Sequence, residues 1–145
     1  MKVFHLTLVL YVFLLIHGAA CAQNSHDLIG SWHNESQATL SITAIAPNGR
    51  ISGSYIVRET KQAFPLFGWA GPAKPEDVPV VPVLFRVQGG AYGTLTVWAG
   101  YLSKGKDGKL SITTMWNIVR AYADPDSSPD NGAVNFAVFK PGPAP

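Results

Sequence analysis

The strongest constraint on the fold of this chain is a series of short runs with a two-residue apolar period, separated by turn residues. Successive side chains of a β-strand point to opposite faces, so these runs predict strands and not helices. The predicted strands are 29–34, 38–46, 50–58, 62–70, 80–88, 92–102, 109–120 and 132–140. Tight turns are indicated at Asn48-Gly49, Gly89-Gly90 and Asp107-Gly108. The pattern predicts an all-β, eight-stranded antiparallel up-and-down β-barrel, which has no free edges and has room for one small ligand.

The first 22 residues differ from the rest and predict a secretory signal peptide. The apolar run over 3–16 is too short for a membrane span but suits a signal-peptide core. Ala20-Cys21-Ala22 resembles a cleavage site of small residues, which makes Gln23 the first mature residue. We therefore expect a signal peptide at 1–22, a barrel domain at 23–140, a flexible tail at 141–145 and a secreted, extracellular or periplasmic protein. A minor alternative is a lipoprotein anchored at Cys21.

The charge and the cysteine content of the predicted mature chain exclude several classes of protein. Of the 11 basic and 9 acidic residues, cleavage removes only Lys2, so 10 − 9 leaves a net charge of +1. A nearly neutral domain argues against nucleic acid and membrane partners. The single Cys lies in the signal peptide, and the mature chain has two His, His26 and His33, which are too few for a convincing metal site. No nucleophile–base pair or metal set is visible, so we do not expect an enzyme.

Two predicted strands, 92–102 and 109–120, carry apolar residues on both faces. One face mixes hydroxyl groups with tryptophans, at Thr94, Thr96, Trp98 and Trp116. The opposite face is apolar, with Leu95, Val97, Met115 and Val119. The outer, solvent-exposed face of a monomeric barrel is normally polar. We therefore interpret the first face as the wall of a ligand cavity and the second as an interface. The interface predicts self-association as a dimer or tetramer; the alternative for the tryptophans is that they only fill the core.

Several motifs occur in an order and spacing that resemble a known family. They are Gly30-Ser31-Trp32-His33-Asn34, Gly49-x-x-x-Gly53-Ser54-Tyr55, Pro65-Leu66-Phe67-Gly68, Thr94-x-Thr96-x-Trp98-x-Gly100 and Thr114-Met115-Trp116. Together they resemble the avidin and streptavidin family of biotin-binding proteins, over nearly all of the mature chain. The resemblance implies an eight-stranded barrel that binds biotin non-covalently, with no cofactor and no catalysis.

The resemblance also implies a set of biotin-binding residues. These are Asn34, Tyr55, Phe85, Thr94, Thr96, Trp98, Trp116 and Asn135. Asn34 and Tyr55 resemble the donors to the ureido oxygen of biotin, and Asn135 resembles the acceptor of a ureido N–H. Thr96 resembles the hydroxyl that faces the thioether sulfur, and Thr94 the hydroxyl near the carboxylate of the tail. The aromatic walls correspond to Phe85, Trp98 and Trp116, with Phe85 where the bacterial members have a Trp.

Departures from the family pattern predict weaker binding. Ala38 replaces a Ser that donates to the ureido oxygen, although Ser36 lies nearby, and Val57 replaces a hydroxyl that accepts a ureido N–H. Each missing partner could cost about 1–3 kcal/mol. The loop at 124–130 has no Trp to reach a neighbouring subunit, and Trp69 could instead close the pocket within its own chain. The alternatives are a barrel for a different small ligand and a secreted barrel-type protease inhibitor.

Overall fold

The structure is a computed structural model that describes residues 23–72, 80–89, 93–120 and 132–142. The predicted signal peptide with Cys21, the loop at 124–130 and most of the Pro-rich stretch at 71–79 lie outside the described residues. The elements are α1 (Gln23–His26), β1 (Gly30–His33), β2 (Thr39–Ile45), β3 (Arg50–Ile56), β4 (Ala63–Ala70), β5 (Val81–Gly89), β6 (Thr94–Lys104), β7 (Leu110–Val119) and β8 (Gly132–Pro141). None of the helices in the described part is long and apolar enough to cross a membrane.

The strands form one closed antiparallel barrel, in which each strand pairs with the next and β8 pairs back with β1. This confirms the predicted eight-stranded up-and-down architecture. All strand bounds lie within two residues of the predicted ones, and β6 continues to Lys104, which pairs with Leu110. That extension is possible because the intervening turn is closed by a bond from Gly108 N–H to the Gly105 carbonyl, at 2.9 Å.

Alternation along the strands places the core inside the barrel. In β5 the side chains of Val81, Val83, Phe85 and Val87 are buried, and those between them are exposed. The same alternation in the neighbouring strands supplies the other buried side chains, among them Leu40, Ile42, Ile51, Leu66, Trp98, Leu102, Ile112 and Phe139. The barrel is thus filled by aliphatic and aromatic side chains over part of its length, and this filling is a main source of its stability.

One end of the barrel is closed by the segment that precedes β1. Leu28 and Trp32 are both fully buried in the core, and Trp32 Nε1 donates a hydrogen bond to the Leu28 carbonyl oxygen at 2.8 Å. Two backbone bonds, from Leu28 N–H to Ser25 and from Ile29 N–H to His26, hold this segment in a compact turn. The odd-numbered strands begin at this end and the even-numbered strands finish there, and the opposite end of the barrel is open.

His33 follows the buried Trp32 on β1 and points to the other face of the strand. His33 is only half exposed, and its ring joins three parts of the chain. Nε2 lies 2.9 Å from the Gly142 carbonyl oxygen, and Nδ1 lies 3.1 Å from Thr39 Oγ1. A carbonyl oxygen only accepts, so Nε2 donates and, in the neutral ring, Nδ1 accepts from the Thr39 hydroxyl. His33 therefore ties the end of β8 to β1 and β2.

Candidate ligand-binding cavity

A cavity of about 740 Å³ lies at the open end of the barrel. The side chains around it come from the ends of odd-numbered strands, the beginnings of even-numbered strands and the β1–β2 turn. It is lined by Asn34, Glu35, Ser36, Tyr55, Val57, Phe64, Val87, Gly89, Thr94, Thr96, Trp98, Trp116, Ile118, Asn135, Phe136, Ala137 and Val138. This size and the mixture of aromatic walls with a few polar groups are typical of a small-molecule site.

Most residues that the sequence singled out meet in this cavity. The lining includes Asn34, Tyr55, Thr94, Thr96, Trp98, Trp116 and Asn135 from the main set, and Ser36 and Val57 from the weaker set. They come from β3, β6, β7 and β8 and from the segments that follow β1 and β3. The closure of the sheet therefore brings together side chains that are up to 101 positions apart, from Asn34 to Asn135.

Three residues of the predicted set do not line the cavity. Phe85 is 1% exposed and lies in the core, opposite Trp98 in the β5–β6 register, while Val87 of the same strand reaches the cavity instead. Ala38 is buried in the β1–β2 turn. Trp69, expected to close the pocket, is 50% exposed on the outer face near the end of β4, at the opposite end of the barrel, so it cannot reach the cavity.

The side-chain amide of Asn34 has a defined orientation. Its Oδ1 accepts a hydrogen bond from Ala38 N–H at 3.0 Å, and an N–H donor requires the oxygen and not the nitrogen of the amide at that position. The backbone of Asn34 also bonds to both Ala38 and Gln37, whose φ of 57° closes the turn. Because the oxygen is held by the turn, the Asn34 amide presents its NH₂ group as the donor to a ligand.

Tyr55 is the second donor at the same end. Its ring packs against the Trp98 ring, with centroids 5.0 Å apart and planes inclined by 42°. Burial raises the pKa of the Tyr55 phenol above its ordinary value of 10.0, and the negative charge of Glu59 raises it further. The phenol therefore stays protonated at neutral pH and can donate a hydrogen bond.

At the β5–β6 end of the cavity, the Thr94 hydroxyl donates to the Gly89 carbonyl oxygen. The Phe64 ring lies against Gly89 so closely that a Cβ on Gly89 would stand 2.0 Å from Phe64 Cδ1. A side chain at position 89 would therefore require the Phe64 ring to move. Thr96 lies two residues further along the same strand and also lines the cavity.

Trp98, Trp116 and Asn135 lie side by side on β6, β7 and β8, because Trp98 pairs with Trp116 and Trp116 pairs with Asn135. Trp98 is buried, whereas Trp116 is partly exposed to the cavity. Asn135 Oδ1 already accepts a hydrogen bond from Phe136 N–H at 2.8 Å. Its free donors are thus more available than its oxygen, which differs from the acceptor role that the resemblance implies.

Sequence reasoning missed several apolar residues of the lining, among them Phe64, Val87 and Ile118. A signal for each was present, because each alternates in register with inward residues of its own strand. Phe64 precedes the buried Leu66 by two positions, and Ile118 follows Trp116 by two. Listing the inward-pointing residues of each strand up to its last residue would have identified them.

The arrangement is suited to binding a small molecule. Two donors, Asn34 and Tyr55, line one cavity with aromatic walls, and donors of this kind stabilise an oxygen that carries negative partial charge. Glu35 is the single carboxylate among the described lining residues. In the described part of the chain, no group of three or more His, Cys, Asp or Glu could hold a metal ion.

Comparison with known proteins agrees with this architecture. The sequence model described as "Avidin family" matches residues 22–141. The fold is similar to the crystal structure of xenavidin, with a TM-score of 0.65 and 24% identity over 79% of this chain and 96% of that one. It is also similar to the biotin binding protein from chicken, with a TM-score of 0.70 and 24% identity over 79% and 97% of the two chains. No curated protein sequence is similar enough to be matched to the chain.

Proposed function

The chain belongs to the avidin family, and from that premise we propose that its cavity binds biotin non-covalently, without a cofactor and without catalysis. The family is one of biotin-binding proteins and not of enzymes. The observation that carries the proposal is the orientation of the Asn34 amide, whose NH₂ group shares a cavity with the Tyr55 hydroxyl. Two fixed donors beside the Trp98 and Trp116 rings fit a ring carbonyl on a largely apolar molecule.

We propose that the affinity is below that of the tightest biotin complexes. Val57 lines the cavity with no polar atom in its side chain, and Ala38 is buried in its turn and outside the lining. Ser36 does line the cavity and is the remaining hydroxyl of that turn. A ligand N–H that meets Val57 loses its water without gaining a partner, at a cost of about 1–3 kcal/mol.

Isothermal titration of the mature chain with biotin tests both statements. We expect saturable one-to-one binding, retention on biotin-agarose and release by free biotin. A dissociation constant in the range of the tightest known complexes, about 10⁻¹³ M or lower, would contradict the predicted weakening. If there is neither heat of binding nor retention, with the fold intact by circular dichroism, biotin is not the ligand.

A second candidate ligand is a ring carbonyl compound without N–H groups. Val57 and the engaged oxygen of Asn135 favour it, because the side chains that should accept ligand N–H groups are apolar or already bonded. Titration with a cyclic ester of similar size distinguishes the two candidates. Stronger binding of the ester than of biotin would favour this second function.

We also propose that the protein self-associates through the outer face of β4–β8. One row of residues on the outer face runs in direct register across these five strands, namely Trp69, Leu84, Ala99, Met115 and Phe136. Phe136 also borders the cavity. Trp69 and Met115 are each 50% exposed and Phe136 is 72% exposed. A continuous apolar row of this kind is unfavourable in water and suits a second copy of the same surface. Multi-angle light scattering should give a mass of two or four chains.

The predicted signal peptide supports secretion, which remains a proposal for this chain. Sequencing the N-terminus of the secreted protein would test it, with Gln23 as the expected first residue. Cys21 carrying a lipid in a membrane fraction would instead favour the lipoprotein alternative.

A further inference from the structure

The seam between β1 and β8, where the barrel closes, is the shortest strand pairing in the described part of the chain. It consists of Trp32 opposite Pro141 and His33 opposite Lys140, whereas every other pair of neighbouring strands is in register over a longer stretch. Proline has no N–H, so Pro141 cannot donate to this ladder. The backbone therefore offers few hydrogen bonds at the point of closure.

The side chain of His33 adds a bond to this seam. Its Nε2–H donates to the Gly142 carbonyl oxygen at 2.9 Å, and the Gly142 N–H donates to the Ser31 carbonyl oxygen at 3.2 Å. Both backbone polar groups of Gly142 are thus held by β1, one residue beyond the last strand pair. Because Nε2 is engaged in this way, the orientation of the His33 ring is fixed, and Nδ1 points away from β8.

The second ring nitrogen holds the base of the β1–β2 turn. Nδ1 lies 3.1 Å from Thr39 Oγ1, and Thr39 is the partner of His33 in the β1–β2 register. Thr39 is only 7% exposed, so its hydroxyl depends on this partner more than an exposed hydroxyl would. His33 and Thr39 are the last paired residues before the turn at 34–38. Their side-chain bond therefore fixes both ends of that turn.

The same turn sets the direction of the Asn34 amide. The Asn34 N–H donates to the Ala38 carbonyl at 3.3 Å, and Asn34 Oδ1 accepts the Ala38 N–H at 3.0 Å. Both bonds lie one residue inside the bond between His33 and Thr39. The first of them is longer than usual, so it holds the turn weakly without support from outside. The orientation of the Asn34 NH₂ group thus depends on His33, which does not itself line the cavity.

The charged groups around His33 do not hold the turn in its place. Lys140, its partner on β8, and Glu35, two residues along the chain, are both exposed. Within the described ranges, neither of them forms an ion pair. Exposed charges of this kind are screened by salt and contribute little. The two hydrogen bonds of the ring are therefore the connection between the seam and the turn.

We propose that His33 is a positioning residue of the cavity. Through Gly142 on one side and Thr39 on the other, it fixes the Asn34 amide in the direction that presents its NH₂ group to a ligand. The consequence for biotin rests on the proposed function, whereas the consequence for the turn does not.

Hydrogen exchange of the Ala38 N–H, followed by NMR, tests the effect on the turn without any ligand. His33→Phe keeps an aromatic ring and removes both ring nitrogens. Thr39→Val removes only the hydroxyl group, and it carries the test if His33→Phe does not fold. We expect Ala38 to exchange about fivefold faster in each variant, as for the loss of one hydrogen bond of ordinary net strength.

Two controls separate this effect from a general loss of stability. The Gly108 N–H, bonded to the Gly105 carbonyl in the β6–β7 turn at 2.9 Å, should exchange at the wild-type rate in both variants. Thr43→Val is the matched variant, because the exposed Thr43 hydroxyl lies on the same strand as Thr39 and donates to the Ser52 carbonyl at 3.1 Å. It should leave the exchange of Ala38 unchanged.

Calorimetry with biotin tests the connection to the ligand. We expect His33→Phe and Thr39→Val to weaken binding about fivefold. His33→Gln should lose less, because its amide retains a donor for the Gly142 carbonyl. In the Asn34→Asp background, His33→Phe should have little further effect, since the donor that His33 positions is already gone.

The outcomes distinguish this inference from the proposed function. Exchange of Ala38 at the wild-type rate in both variants, or an equal acceleration at Gly108, would overturn the role of His33. If the wild type binds biotin, an unchanged affinity in both variants, or the full fivefold loss in the Asn34→Asp background, would also overturn it. If the wild type binds no biotin, the proposed function is wrong, and the exchange of Ala38 still decides whether His33 positions the amide.

Discussion

Asn34 and Ala38 hold each other at the mouth of the cavity: the Asn34 side-chain oxygen accepts the Ala38 N–H at 3.0 Å, and the Asn34 N–H donates to the Ala38 carbonyl at 3.3 Å. The first bond assigns the Asn34 amide oxygen to the turn and its nitrogen to the cavity. One residue thus both shapes the β1–β2 turn and lines the cavity, and an appropriate substitution can separate the two roles.

Asn34→Asp should preserve the turn and weaken biotin binding. A carboxylate still accepts the Ala38 N–H, but it replaces the NH₂ donor by a negative charge that repels a ligand carbonyl oxygen. We expect at least a tenfold loss of affinity by calorimetry, equivalent to about 1.4 kcal/mol, with a small change in melting temperature. Asn48→Asp is the control, because Asn48 Oδ1 accepts the Arg50 N–H at 3.2 Å at the closed end. Equal losses in the two variants would contradict the role of the Asn34 amide.

Substitutions at Phe85 and Trp116 should distinguish effects on folding stability from effects on biotin binding. Phe85 is fully buried and does not line the cavity, so Phe85→Ala should cost about 3–5 kcal/mol of folding free energy. Trp116 is half buried and lines the cavity, so Trp116→Ala should cost less stability but at least about tenfold in affinity. Urea unfolding and calorimetry measure the two effects. If Trp116→Lys folds and still binds biotin, the cavity is not the binding site.

The raised pKa of Tyr55 predicts a dependence on alkaline pH. The folded protein holds the phenolic proton more strongly than the unfolded chain, so this contribution to stability is fully present below pH 10 and is lost as the pH rises through the folded pKa. Biotin binding should persist to the same limit, since the phenol remains a donor. Phenolate absorbance, taken as the difference between the wild type and Tyr55→Phe, measures the pKa. In Glu59→Gln this pKa should fall, because the smaller of its two causes is removed.

Self-association should depend on Met115. Its exposed side chain lies in register between Ala99 and Phe136 on the outer face. A lysine there would place a charge in the apolar row, so Met115→Lys should shift the mass in light scattering towards a single chain. Thr43→Lys, on an exposed position of β2, should leave the mass unchanged. The proposed interface would be wrong if Met115→Lys had the same mass as the wild type.

Replacement of two glycines next to β7 by alanine should have different effects on folding stability. A Cβ on Gly100 would stand 1.9 Å from the Thr113 carbonyl oxygen, whereas a Cβ on Gly132 would lie 3.4 Å from the Ile118 carbonyl oxygen. Gly100→Ala should therefore separate β6 from β7 and cost about 1–3 kcal/mol or more, while Gly132→Ala should be nearly neutral. Thermal unfolding compares the two variants, and equal melting temperatures would contradict the close approach of these strands.

Much of this architecture follows from local patterns. The two-residue period and the turns at Asn48-Gly49 and Asp107-Gly108 predicted all eight strands, and the inner face of β6 predicted that Thr94, Thr96 and Trp98 share one cavity. Alternation assigns a side chain to a face, but it does not say how deep along the barrel that side chain lies. The family resemblance predicts Phe85 as a wall of the cavity, whereas Val87, one inward position later, lines it.

The sequence by itself determined the closed barrel, its inner and outer faces and the candidate polar residues, because each of these depends on a repeating local geometry. Only the tertiary structure decided which atoms of those residues are free. Asn34 Oδ1 is committed to Ala38, and the Thr94 proton to Gly89. Hydrogen-bond partners are chosen by distance and angle after the chain has closed, so the donors and acceptors left for a ligand emerge only in the folded barrel.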